Sequence, residues 1–195
     1  HPFVVPEQYR NTLPAGKTKV HKGVAYTDLA IRRFMETASQ ESWYDHTIFV
    51  FVADHVSSET FAPKTLTPTG NSHIICLLYT PDGAIKGSDA RVTQQIDLMP
   101  TLFSLLGMDY DSWFYGRDIL ADDFRERAFV ATYQDLGYLE GDRFTVLSPV
   151  DRAEQFLLRP TDDDPYALER TEAIDSTHLN RAISLYQTSS QWNKR

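Results

Sequence analysis

The stretch TIFVFVADHVSSET, Thr47 to Thr60, sets an unbroken apolar run directly against an aspartate and a histidine, Asp54 and His55. Lack of polar alternation from Thr47 to Ala53 predicts a strand buried on both faces, as in a parallel sheet. In an open parallel sheet, ligands bind beyond the carboxyl ends of the strands, and Asp54 and His55 stand at such an end. A carboxylate oxygen beside a neutral imidazole nitrogen suits Zn²⁺ or Mn²⁺ better than Ca²⁺, which prefers oxygen alone. The competing reading makes Asp54 the cap of a turn through Ser57 or Ser58 and His55 a surface residue. The dipeptide alone leaves both open.

Working outward, residues 22–40 carry Tyr26, Leu29, Ala30, Phe34 and Ala38 at helical spacing, with Arg32, Arg33 and Glu36 for the outer face. A second apolar run, HIICLLYT (His73–Thr80), predicts another strand, stopped by the turn Pro81-Asp82-Gly83. In VTQQIDLMPTLFSLLGM, Asp97 suits a helix N-cap, Pro100 the first turn and Gly107 the end. Beyond Gly116 the pattern changes to consecutive short strands at 128–133, 143–148 and 154–159, with Glu140-Gly141-Asp142 as a hairpin turn. The run Asp162-Asp163-Asp164 reads as a solvated loop, with a hard-cation site as the alternative. A last helix begins near Ser176 and carries Leu179, Ala182, Ile183 and Tyr186.

Composition narrows the function classes. The chain has 195 residues, 42% hydrophobic and 24% charged, which describes a globular protein. A formal net charge of -8 argues against nucleic acid as a partner, because phosphate-backbone binders need a basic stripe. An anionic substrate would need a local positive charge, and a bound metal ion can supply it. Cys76 is the only cysteine, which excludes an intrachain disulfide, and it reads as a core residue of the second strand. His21, His46 and His178 read as surface residues. The chain opens HPFVVPEQYR without a methionine, and we read it as part of something longer.

The segment YTDLAIRRFMETASQESWYDHTIFVFVADH, a strand opened by a histidine, VTQQIDLMPTLFSLLG and GRDIL together resemble the C-terminal half of a sulfatase-like protein of the alkaline phosphatase superfamily. Within that group the pattern is most similar to the lipoteichoic acid synthase type, which includes phosphoglycerol transferases. FVATYQDLGYLEGDRFTVLSP resembles the small antiparallel C-terminal sheet of the same group.

The resemblance implies an α/β fold. Residues 1–122 would be the C-terminal half of an alkaline-phosphatase-like domain, a parallel sheet flanked by helices. Residues 123–195 would be a small antiparallel β subdomain with a C-terminal helix, packed on the first. It implies that Asp54 and His55 ligate a catalytic Mn²⁺ or Zn²⁺, and that the remaining ligands and the nucleophile lie upstream. It places His73 near the substrate's anionic group. The histidine expected near the start falls one position off in His1-Pro2-Phe3, so His1 is a weaker substrate-binding candidate. Val56 stands where such chains commonly carry glycine, and Ile75 where proline is common.

The implied activity is transfer of a phosphoglycerol or related phospho-alcohol group through a covalent phospho-enzyme. The substrate would be an anionic phosphate or sulfate ester, lipid-linked in some members. The implied location is the cell envelope, on the extracytoplasmic face of the membrane or in the periplasm, with the full-length protein membrane-anchored. Two alternatives stand beside it: an exported sulfatase or phosphodiesterase, and a non-catalytic binding module.

Overall fold

A computed structural model describes residues 4–56 and 68–192. They form two compact units. One comprises the described residues within His1–Glu59 and Ile74–Ser88, the other those within Thr60–His73 and Asp89–Arg195. The division into 1–122 and 123–195 follows a change of pattern along the chain rather than compactness, and it stays a proposal about the parts of a longer fold.

The first unit holds helix α1 (Lys19–Ala38) and strands β1 (Phe49–Val52) and β2 (Cys76–Tyr79). Its buried apolar residues are Val5, Val20, Ala38 and Phe49. The Phe49 ring meets Phe34, Trp43, Tyr44 and Tyr79 at centroid distances of 5.4–6.2 Å. Such rings pack edge to face or tilted because their quadrupoles disfavour a face-to-face sandwich. At the amino end of the unit, Arg33 donates a 2.7 Å hydrogen bond to the Tyr9 hydroxyl, and this bond lowers the phenol's pKa.

The expected parallel sheet is not observed: β1 and β2 pair antiparallel, from Phe49 opposite Tyr79 to Val52 opposite Cys76. The reason is topological. β2 begins beside the end of β1, as antiparallel pairing requires, whereas parallel pairing would bring the start of β2 beside the start of β1. Among the described residues no pair of strands is parallel. Nor are both faces covered: Ile75 is 78% exposed and Leu77 57%. Cys76 is likewise exposed rather than a core residue, although what burial its thiol has raises its pKa.

The second unit contains α2 (Leu98–Leu105), strands β3 (Arg127–Ala131), β4 (Leu136–Glu140), β5 (Arg143–Ser148), β6 (Arg152–Leu158) and β7 (Leu168–Arg170), and α3 (Ser176–Trp192). The strands make an antiparallel meander in sequence order. The hairpin at Gly141-Asp142 falls where the sequence predicts it, with Glu140 opposite Arg143. Strands β4 and β7 escape the sequence reading.

Register sorts the two faces of this sheet. Leu139, Phe144 and Phe156 line up across β4, β5 and β6 on one face; Tyr138, Thr145 and Gln155 line up on the other. The second row is almost fully buried, and so are Ala182 and His178 of α3. His178 is therefore not a surface residue. Its Nδ1 pairs with the Thr145 hydroxyl at 2.7 Å, and its ring lies 5.1 Å from that of Tyr138. The Gln155 amide reads both backbone groups of Asp175, its oxygen accepting from N–H at 2.7 Å and its nitrogen donating to C=O at 3.1 Å. The carboxylate of Asp175 in turn accepts from the N–H groups of Thr177 and His178, capping α3.

Asp97 does not cap α2 with its side chain. Instead its carboxylate, 2% exposed, accepts from the N–H groups of Gln94 and Arg117, each at 2.9 Å. The Thr101 hydroxyl donates to the Asp97 carbonyl and accepts from Ile119 N–H. Thus two segments of the family pattern, Ile96-Asp97…Pro100-Thr101 and Gly116-Arg117-Asp118-Ile119-Leu120, form one clasp. A side chain at Gly116 would put its Cβ 1.7 Å from the Ile96 carbonyl oxygen, so only glycine fits. Gly107, at φ +62°, ends α2 as predicted: its N–H bonds to Ser104 C=O and Met108 N–H to Phe103 C=O.

Candidate metal centre

The ladder between β1 and β2 extends one bond past Val52, Ala53 N–H reaching Ile75 C=O at 3.3 Å. Asp54 and His55 are the next two residues, where the chain bends away from the sheet. Consecutive side chains of a strand diverge, but this bend turns the pair toward each other. His55 N–H donates to Asp54 Oδ1 at 2.9 Å, and His55 Nε2 stands 3.6 Å from Asp54 Oδ2. Both side chains are open to solvent, at 77% for His55 and 88% for Asp54.

His55 Nδ1 lies 2.7 Å from the Val56 carbonyl oxygen. A carbonyl can only accept, so Nδ1–H is the donor, and a ring with a single proton would leave the lone pair on Nε2. At 3.6 Å the gap from Nε2 to Oδ2 is too long for a hydrogen bond. Asp54 Oδ2 and His55 Nε2 thus stand side by side as two candidate ligands. Two ligands bound at ~2.1 Å with a tetrahedral angle lie roughly 3.4 Å apart, close to what the pair presents. Donation of the second ring N–H to a backbone carbonyl is also the usual way a metal-bound imidazole is oriented. The pair therefore fits Zn²⁺ or Mn²⁺ as two ligands of a larger shell. Among the described residues, no group of three or more ligating side chains is assembled.

The other two candidates are placed differently. His73 follows a single 3-10 turn, Gly70–Ser72, and belongs to the second unit. It is exposed, and its Nδ1 is hydrogen-bonded to the hydroxyl of Tyr166. His1 lies outside the described residues. Sequence reasoning missed Tyr166 altogether; only its position three residues after the acidic run's second member hints that the turn there positions something.

A family model described as Sulfatase matches residues 5–108, more than half of the chain. The chain belongs to the Sulfatase family. The matched segment contains Asp54, His55, His73 and the Asp97–Thr101 half of the clasp. Among curated proteins, an arylsulfatase of Clostridium perfringens (strain 13 / Type A) is 25% identical over 140 residues, 68% of this chain and 28% of the relative. Among solved structures, a protein in the alkaline phosphatase superfamily from Vibrio parahaemolyticus matches with a TM-score of 0.78 and 29% identity, over 99% of this chain and 47% of that one. This sulfatase-family chain thus spans about a quarter of the first relative and about half of the second. Proteins of the family are typically metal-dependent and act on esters.

Proposed function

We propose that this chain contributes two metal ligands, Asp54 and His55, to an enzyme that transfers phosphoglycerol or a related phospho-alcohol group at the cell envelope. The observation that carries the metal reading is the placement of Asp54 Oδ2 and His55 Nε2 3.6 Å apart, with the ring held from behind by the Val56 carbonyl. Bound there, a divalent ion would lower the pKa of a hydroxyl nucleophile and offset charge developing on the ester oxygens. In this reading the nucleophile comes from outside the chain and forms a covalent phospho-enzyme, which an acceptor alcohol releases. Asp54 supplies anionic charge to the ion, His55 a neutral nitrogen, and His73 an N–H toward the anionic ester. The full-length protein is anchored at the extracytoplasmic face of the membrane. Among the described residues no helix is long and apolar enough to cross it.

The arylsulfatase relative favours a second reading, hydrolysis of sulfate esters. One experiment addresses both. Asp54→Ala and His55→Ala in the full-length protein should abolish metal content and turnover together. Assays with a phosphoglycerol donor plus alcohol acceptor and with an aryl sulfate would show which ester is consumed. Unchanged metal content in both variants would defeat the assignment.

A further inference from the structure

We infer that Tyr166 is a positioning residue for His73, holding the imidazole in the Nε2–H form so that its free nitrogen presents a donor to an anionic ester. This rests on the reading of His73 as an anion-binding residue.

Tyr166 is 93 residues away in sequence, between β6 and β7, yet its hydroxyl meets His73 Nδ1, with the two rings 5.6 Å apart and nearly perpendicular at 69°. The direction of the bond follows from chemistry. A phenol is a good donor and a poor acceptor, whereas a neutral imidazole nitrogen is a strong acceptor, so O–H donates to Nδ1. The ring proton then sits on Nε2, because the bond made by one nitrogen decides the state of the other. Among the described residues, Nε2 has no hydrogen-bond partner.

Tyr166 is itself fixed from several sides. Its N–H donates to Asp164 Oδ1 at 2.9 Å, and its C=O accepts from the Thr69 hydroxyl at 3.4 Å. Asp164 N–H donates to the Thr161 hydroxyl at 2.9 Å, while Thr161 N–H donates to Asp164 C=O at 2.9 Å. Arg159 N–H to Ala167 C=O, at 2.8 Å, closes the base of the loop. The last aspartate of the acidic run therefore builds the turn that presents Tyr166, while Asp162 and Asp163 remain exposed. Thr69 ties the same loop to the turn that carries His73. These bonds fix the backbone that carries the phenol, and the phenol's own bond holds the imidazole; a held donor loses less entropy when an anion binds.

The test uses the 195-residue chain and long-range ¹H–¹⁵N correlation of the His73 ring at a pH where it is neutral. Wild type should show the Nε2–H tautomer alone, and Tyr166→Phe an exchanging mixture with the β5–β6 amide signals unmoved. Titration with inorganic phosphate at constant ionic strength, followed on the same ring, should give a weaker dissociation constant in Tyr166→Phe, by a factor equal to the inverse of the fraction of ring left in the Nε2–H form. A wild-type ring protonated on Nδ1, or a variant with an unchanged tautomer pattern, would overturn the inference. Phosphate binding undiminished in His73→Ala would instead overturn the anion-binding reading, whatever the tautomer.

Discussion

His178 is a titratable side chain enclosed between α3 and the sheet, and its chemistry predicts how the second unit responds to acid. Burial lowers its pKa from the ordinary value of 6.5. Around it Glu140 and Asp175 favour the charged ring, while Arg143 and Arg181 oppose it, so desolvation decides the direction. In the unfolded chain the ring takes up a proton near its ordinary pKa; in the fold it does so only at lower pH. Its contribution to stability is thus complete above about 6.5 and is lost as pH falls through the lower folded value. Urea midpoints of wild type and His178→Asn should diverge in their pH dependence, wild type losing more between pH 7.5 and 5. Parallel pH profiles would show that the ring is hydrated in the fold. Sequence spacing could not reveal this enclosure, because the partners of His178, Tyr138 and Thr145, are brought to it by register across β4 and β5.

At the scale of elements, the clasp between the start of α2 and residues 116–119 shows which part of the family pattern is structural. Asp97 spends both carboxylate oxygens on backbone N–H groups in a site that is 2% exposed. Removal of a charged acceptor that serves two donors leaves both unsatisfied, a cost of about 3 kcal/mol. Asp97→Ala should lower the unfolding free energy by about that amount in chemical denaturation, and Asp97→Asn, which retains one acceptor, by roughly half. A loss under ~0.5 kcal/mol in both would mean that water replaces the clasp.

Helix α2, its glycine stop and the Gly141 hairpin were legible in the sequence because each depends on local chemistry: propensity, a positive φ, a two-residue turn. The role of Asp97 was not, since its partner Arg117 lies twenty residues on. Strand β4 hid behind Gly137, and β7 is only three residues long. The antiparallel pairing of β1 with β2 ran against the pattern, because an uninterrupted apolar run favours a parallel sheet without requiring one.

For the whole molecule, the two apolar strands that read as fully buried are only half covered among the described residues. Ile75, Leu77, Val52 and Tyr79 are all exposed, as are Val24 and Phe34 of α1. Exposed apolar side chains on a short two-stranded sheet favour association. The 195-residue chain should sediment as concentration-dependent oligomers, and Ile75→Lys with Leu77→Lys should return it to monomer. A wild-type chain that stays monomeric at high concentration would show that this surface is too small or too broken to drive association.

Whether Asp54 and His55 grip a divalent cation is read by titrating the isotope-labelled chain with Mn²⁺ and following paramagnetic broadening. Broadening should begin at Asp54, His55 and Val56 and disappear in Asp54→Ala and in His55→Ala. Broadening that centres instead on Asp162 to Asp164, or that survives both substitutions, would contradict metal binding by this pair.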